Sequence, residues 1–319
     1  MGGTELVRYI IQRLLSLIPV MLVVSIIVFL IVHLTPGNPA YIILGEDSSE
    51  ESIRQLEHEL GLDQPIAIQF FDWIKNMLTG DFGMSIYSSE PVLDIILSHF
   101  GPTFSLMAVS LFLMLLIAVP AAIFAVIKRD TAVNPIFLSS SLIGVSLPEF
   151  WFAMLLVIAF GVTIPIFPVA GYIPFDSGVL EWLHHLFLPA FVLALVEAGL
   201  ISRMLRDEML EAVGQDYTRT ARAKGIKEST VIMRHTFRNA LIPSVTVIGT
   251  ATAGLLGGTV IIETLFTIPG IGQLLIDSIH RRDFPVIQGV VLFTAVIYVI
   301  VNLIVDLLYA LFDPRIRYD

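Results

Sequence analysis

An all-α, polytopic membrane protein is the fold class this chain predicts, and three observations carry the prediction. Of its 319 residues, 56% are hydrophobic and only 14% are charged, whereas soluble domains carry about a quarter charged residues. Long uncharged runs alternate with polar segments. A run of that kind must satisfy its backbone polar groups internally, as helix, because hydrocarbon offers no partner. The basic residues are also uneven, with 14 of the 18 Lys and Arg in alternate polar segments. The absence of Cys removes disulfides, thiolate metal sites and a thiol nucleophile.

The elements follow in order. Residues 1–13 are a short tail with Arg8 and Arg13. Residues 14–34 hold no Asp, Glu, Lys or Arg, and a helix of that length crosses about 30 Å of hydrocarbon. Pro19 lies in its first turns, where a missing N–H is tolerated, and TPGNP (35–39) ends it. Residues 35–101 are polar and read as a helical extracytoplasmic segment. Ser48 and Ser49, followed by Glu51 and Ser52, mark a helix start, and Gly61 a stop. A second helix is expected over 65–78, with Ile66, Phe70, Trp73 and Met77 about one turn apart. GDFG (80–83) is a turn, and 91–100 a third short helix.

The second span is 103–127, ended by Lys128, Arg129 and Asp130. The third is 133–162, kinked at Pro148. An outer loop over 163–185 leads to a fourth span, 186–201, with Pro189 and Glu197 inside it. A basic loop occupies 202–240. The fifth span, 241–262, is uncharged and rich in small residues. Gly254 and Gly258 form a GxxxG that lets helix backbones approach closely. Residues 263–285 are the last outer loop, 286–312 the sixth span and 313–319 a tail.

Six spans place both termini on one side. The N-terminal tail, the Lys128 loop and the C-terminal tail hold two Lys or Arg each, and the basic loop holds eight. The other side holds Arg54, Lys75, Arg281 and Arg282, beside 11 acids in 35–101. The positive-inside rule makes the termini and the basic loop cytoplasmic.

Within the basic loop, a helix is expected to continue from the fourth span to a stop at Gly214. Asp216 can then cap a short helix over 217–224, and Gly225 can end it with φ > 0. Two turns are too short to be stable in water alone, so this helix needs a groove to sit in. Tyr217 would anchor it, Ala221 and Ala223 keep it slim, and Arg219, Arg222 and Lys224 give it charge. Binding to anionic lipid is the plainer alternative, but it needs no helix delimited by glycines.

Glu149, Glu197 and Asp306 lie in predicted spans, where an acid at the bilayer centre costs about 2.5–3.5 kcal/mol on insertion scales. Each must therefore face protein or water. Glu149 follows the helix-breaking Pro148, a pattern found along translocation paths. A structural role competes for all three. His184 and His185 beside Glu181 are adjacent in sequence and diverge on a helix, which is poor metal geometry. No metal, cofactor or nucleic-acid site is expected.

ARAKG (221–225) followed by RHTFRNALIP (234–243) resembles the cytoplasmic coupling loop of ABC-importer permeases. The closest resemblance is to the B-type membrane subunit of the dipeptide/oligopeptide/nickel importer family. The general loop reads EAA, three residues, Gly, nine residues, then I-x-L-P. Gly225 matches the glycine, and Arg219, Thr220 and Ala221 fill the EAA positions, so only the last alanine survives. The Ile, Leu and Pro positions fall on His235, Phe237 and Arg238, with Pro243 five residues later, a departure that resembles the B-type subunit. LGLDQP (60–65), SLPEFW (146–151), ETLFTIPGIGQLL (263–275), RDFPVIQG (282–289) and DPRIRY (313–318) are similar to family landmarks in the same order.

The resemblance implies a non-enzymatic permease subunit of a bacterial or archaeal cytoplasmic membrane. It would pair with a second, homologous membrane subunit, two cytoplasmic ATP-binding subunits and an extracytoplasmic solute-binding protein. Tyr217, Arg219, Thr220, Ala221, Arg222, Ala223, Lys224 and Gly225 would face an ATP-binding subunit. Pro148 and Glu149 would line the path or its gate, and Gly254 and Gly258 would pack helices. Peptides are the implied cargo, with nickel or another small solute as the alternative. The chain contains no GxxxxGK[ST] phosphate loop. A stand-alone ion-coupled carrier would show inverted repeats, and none is visible.

Overall fold

The computed structural model describes the backbone of residues 3–34, 39–44, 49–59, 61–132, 134, 136, 137, 139, 141 and 147–312. The helix end expected at 35–38, residues 142–146 of the expected third span and the expected tail 313–319 lie outside the described residues. The described chain is helical, and its one β feature is an isolated bridge between Met84 and Pro91. Helix α1 is Gly3–Leu34, α2 Pro39–Leu44, α3 Glu50–Glu59, α4 Ile66–Leu78 and α5 Val92–Ile127. Helix α6 is Glu149–Val157, continued by a π-helical turn at Ile158–Thr163. Helix α7 is Val179–Gly214, α8 Asp216–Ala223 and α9 Arg238–Phe266, the last preceded by helix at Glu228–Thr230 and a π-helical segment at Val231–Phe237. Helices α10, Ile271–Arg281, and α11, Phe284–Phe312, follow.

Five of these helices are long and apolar enough to cross a membrane, while Glu149–Thr163 is shorter. Several expected boundaries change. The short helix at 91–100 and the span after it are one helix, α5, which runs through Pro102 and Pro120. Proline is tolerated in membrane helices because neighbouring groups satisfy the carbonyls it frees. The loop expected at 163–185 already turns helical at Val179, so His184 and His185 are helical residues. Helix α10 lies inside the expected outer loop 263–285. Glu228–Phe266 runs without a break through Pro243, across the boundary expected between the basic loop 202–240 and the fifth span 241–262.

The chain divides into two compact units. One comprises Phe100–Gln273 and Tyr298–Asp319. Its core is layered along α5. Leu106, Met107 and Val109 pack with Leu186, Leu193, Leu255 and Ile262. Met114 and Ala118 pack with Ala194, Ala198, Ile201 and Ala251. Ala122 and Val126 pack with Leu205, Met209, Val213, Ile232 and Ala240. Residue numbers rise through these layers along α5 and α7 and fall along α9, so α5 and α7 run alike and α9 runs against them. Small residues set the helix spacing, since lipid tails give no hydrophobic drive for one apolar helix to prefer another. Gly249 of α9 lies against Val305, with no space for a Cβ.

The other unit comprises Gly2–His99 and Leu274–Ile297. The apolar face expected on α4 meets α1 there. Phe29 contacts Phe70 edge-on, with centroids 5.3 Å apart, and lies 5.7 Å from Trp73. Helix α3 begins after Ser49, whose hydroxyl accepts the Ser52 N–H at 3.2 Å. Past its end, Gly61 at φ +67 closes two turn bonds, Gly61 N–H to His58 O and Leu62 N–H to Glu57 O. That pair of bonds with a left-handed glycine is a Schellman motif.

Candidate functional site

Helix α8 has the punctuation its sequence requires. Gly225 takes φ +76, its N–H donates to Arg222 O at 2.9 Å, and the Ile226 N–H donates to Ala221 O at 3.3 Å. This second Schellman motif satisfies two terminal carbonyls and turns the chain back. The start of the helix departs from expectation. The capping position is Gln215, and Asp216 is the first helical residue, exposed and 3.7 Å from Arg219. The tie is Thr218. Its fully buried hydroxyl lies 2.8 Å from Val213 O, in the last turn of α7, and 2.6 Å from the carbonyl of Gln215, the capping residue of α8, so it ties the start of α8 to a carbonyl at the end of α7.

One face of α8 is thus spent on the chain itself. Thr218 and Ala221 are buried, and α8 packs on the π-helical segment 231–237 as well as on α7. Arg222 is half-buried. Its guanidinium grips the Glu228 carboxylate through Nε at 3.0 Å and Nη2 at 2.7 Å, a two-pronged geometry that also fixes the orientation of both groups. The hydrogen bond to Glu228 pushes the Arg222 guanidinium above its ordinary value. Tyr217, Arg219, Thr220, Ala223, Lys224 and Gly225 remain exposed. Of the eight residues picked from the sequence, Ala221 is therefore an internal packing residue and Arg222 a brace, while six share the open side.

Two further sets of predicted residues come together in the same unit. Pro148, in extended conformation, precedes α6, and its carbonyl accepts the Trp151 and Phe152 N–H groups at 3.1 Å. Glu149 opens the helix and reaches the glycine face of α9. A Cβ on Gly258 would stand 3.3 Å from Glu149 Oε2 and 3.3 Å from Leu193 Cδ2. One turn earlier, a Cβ on Gly254 would lie 4.0 Å from Glu197 Oε1. The GxxxG pair and the two intramembrane acids thus share one face of α9, which sequence separation concealed. His184 Nε2 lies 2.6 Å from Ile166 O and His185 Nδ1 lies 3.0 Å from Glu181 O. Among the described residues no cluster of acids and histidines could hold a metal.

Two buried acids went unnoticed in the sequence. Glu263 is fully buried. It accepts the Thr103 hydroxyl at 2.6 Å, the Gly272 N–H at 2.8 Å and the Gln273 N–H at 3.2 Å. In the other unit, Asp283 accepts the Ser85 hydroxyl, the Ile86 N–H at 3.2 Å and the Tyr87 N–H at 3.4 Å. Each carboxylate thus takes one hydroxyl and two consecutive amides. All three non-glycine residues with φ > 0, among the described residues, flank these acids in sequence or join their loops: Thr267, Arg282 and Ser89. Such conformations persist only where the surroundings over-determine them. The available signal was an acid followed closely by Gly270 and Gly272, which leave room for it.

The sequence matches known proteins over most of the chain. Residues 114–318 match the family model described as binding-protein-dependent transport system inner membrane component. Residues 6–107 match the model for the N-terminal part of such membrane components. A putative peptide transport system permease protein of Brucella abortus is 44% identical over 97% of this chain and 99% of its own length. A probable peptide ABC transporter permease protein of Sinorhizobium fredii is 39% identical over 97% and 99%. The glutathione transport system permease protein of Escherichia coli K12 is 40% identical over 98% of this chain and all of its own.

Proposed function

The chain belongs to the family of binding-protein-dependent transport system inner membrane components, and on that premise we propose that it forms half of the translocation pathway of an ATP-driven importer of peptides. The observation that carries this reading is α8. It is a short, separately capped helix, tied down on one side by Thr218 and Ala221 and open on the other through Tyr217, Thr220, Ala223 and Lys224. The open side fits a groove on an ATP-binding subunit. The other partners are a second membrane subunit of the same kind, a second ATP-binding subunit and an extracytoplasmic solute-binding protein. ATP hydrolysis belongs to the partners, since this chain has no phosphate loop.

In this reading the chain spans the membrane six times, with residues 133–162 as the third span and both termini in the cytoplasm. The charge asymmetry supports the orientation. The helix directions support the order of spans instead, because α5 and α7 run alike and α9 opposes them, as the second, fourth and fifth of six alternating spans require. Pro148 and Glu149, with Gly254, Gly258 and Glu197 opposite, lie on the path or at its gate. Peptide cargo is supported by what the relatives are named for.

Reconstitution tests the whole reading. The four membrane and ATP-binding subunits in liposomes, with the solute-binding protein outside, should accumulate a labelled di- or oligopeptide only when ATP is inside. Uptake by this chain alone, without ATP-binding subunits, would contradict it.

A further inference from the structure

Glu263 lies at the far end of α9 from the segment that packs on α8, and the route between them is unbroken. Helix α8 packs on the π-helical segment 231–237, which continues into α9 without interruption. The last turn of α9 ends on the Glu263 carboxylate. A simple turn would not need a buried acid. The chain already reverses there through Thr267 at φ +52, with the Ile268 N–H bonded to Glu263 O at 2.9 Å. A carboxylate taken out of water is costly unless it is fully paired, yet this one ties three elements together. Thr103 of α5 donates to it and also accepts the Ile271 N–H at 2.8 Å. Gly272 and Gln273 of α10 donate from the other side. The approach is close because Gly270 and Gly272 lack side chains. A Cβ on Gly270 would run into the Glu263 carboxylate, and one on Gly272 into the Val260 backbone.

We propose that Glu263 and Thr103 are positioning residues of the transport cycle, which lock the start of α10 to the end of α9. A displacement delivered to α9 from the docking helix α8 is then passed on to α10 rather than lost in the turn, and the reverse holds for engagement of the solute-binding protein. The inference rests on the reading of α8 as the ATPase-docking helix. It adds the residues that fasten the opposite end of the same lever.

The test uses the complete transporter in lipid nanodiscs, with ATP hydrolysis measured with and without peptide-loaded solute-binding protein. Thr103→Ser keeps the hydroxyl, Thr103→Val removes it at equal size, and Glu263→Gln turns an acceptor oxygen into a donor. Thr103→Ser should match the native protein. Thr103→Val and Glu263→Gln should keep basal hydrolysis within about twofold but lose about tenfold of the stimulation by binding protein, the scale of one coupling interaction. Unchanged stimulation in Thr103→Val overturns the proposal. So does a parallel fall of basal and stimulated rates in step with the yield of complex, which would make the pair purely structural. If Glu263→Gln fails to assemble, the Thr103→Val and Thr103→Ser pair decides. A native complex whose hydrolysis ignores the binding protein altogether would instead sink the importer reading.

Discussion

The Glu149 carboxylate crowds Gly258, with Oε2 3.3 Å from where a Cβ on that glycine would stand. Its neighbour Gly257 has nothing within 4 Å of the equivalent point. Adjacent glycines therefore differ sharply. Gly258→Ala should press on Glu149 and Leu193 and cost about 1–3 kcal/mol of helix packing, with uptake lowered. Gly257→Ala should leave uptake near native, since it adds a methyl to open space. Paired uptake assays in proteoliposomes measure the difference, and equal effects at the two sites would remove the close approach of α6 to α9 from the account.

Gly225 is a backbone requirement rather than a packing one. A Cβ there meets nothing within 4 Å, but φ is +76. Gly225→Ala should cost about 1–2 kcal/mol, the left-handed penalty of an L residue. Gly225→Asn should recover part of it, because Asn tolerates that region. The readout is hydrogen exchange of the amides of Gly225 and Ile226, which should lose protection in the order Gly, Asn, Ala.

Thr218 ties α8 to the end of α7 through a buried hydroxyl. Thr218→Val keeps the shape and removes the donor. The loss is about 1 kcal/mol, that of one hydrogen bond, and it should act locally by freeing α8 to swing. ATP hydrolysis should then proceed with less uptake per ATP than in the native complex, measured as the uptake-to-hydrolysis ratio. An unchanged ratio would show that the hydroxyl does not set the pose of α8.

In the polar segment before α5, His58 Nδ1 lies 2.7 Å from Asp63 Oδ2, and that hydrogen bond holds the Asp63 carboxyl below its ordinary value of 3.8. A group whose folded value is depressed adds stability above its unfolded value and loses it as pH falls through the folded one. The turn that ends α3 should therefore keep full protection above pH 3.8 and lose it only as the pH falls further. Asp63→Asn should abolish this acid dependence, as proteolysis of the turn with pepsin across that range would record.

Much of this architecture was legible because it is local. Gly61 and Gly225 are stops whose conformation depends on their own helix, and Ser49 announces α3 from a few residues away. The continuity of α5 was hidden by Gly101 and Pro102, which break helices in water but not where neighbouring helices satisfy the backbone. The cap of α8 was misread because Asp216 is the better capping residue in isolation, whereas Thr218 has the carbonyls of α7 within reach. Glu263 and Asp283 were invisible for a different reason. Their partners Thr103 and Ser85 lie 160 and 198 residues away, and no spacing rule reaches that far. The exposure of α8 could not be read either: Ala221 and Ala223 look alike in sequence, and only the packing of α8 on α7 and on 231–237 leaves one buried and the other exposed.

Because the chain has no cysteine, a single one introduced at Ala223 is a unique probe of the open side of α8. Cross-linking Ala223→Cys in the assembled complex with a short bifunctional thiol-to-amine reagent reports whether α8 docks on an ATP-binding subunit. Ala223→Cys should give one adduct with an ATP-binding subunit, and Tyr87→Cys, on the opposite side of the membrane in the proposed orientation, should give none. An adduct at Tyr87 and none at Ala223 would contradict both the docking site and the orientation.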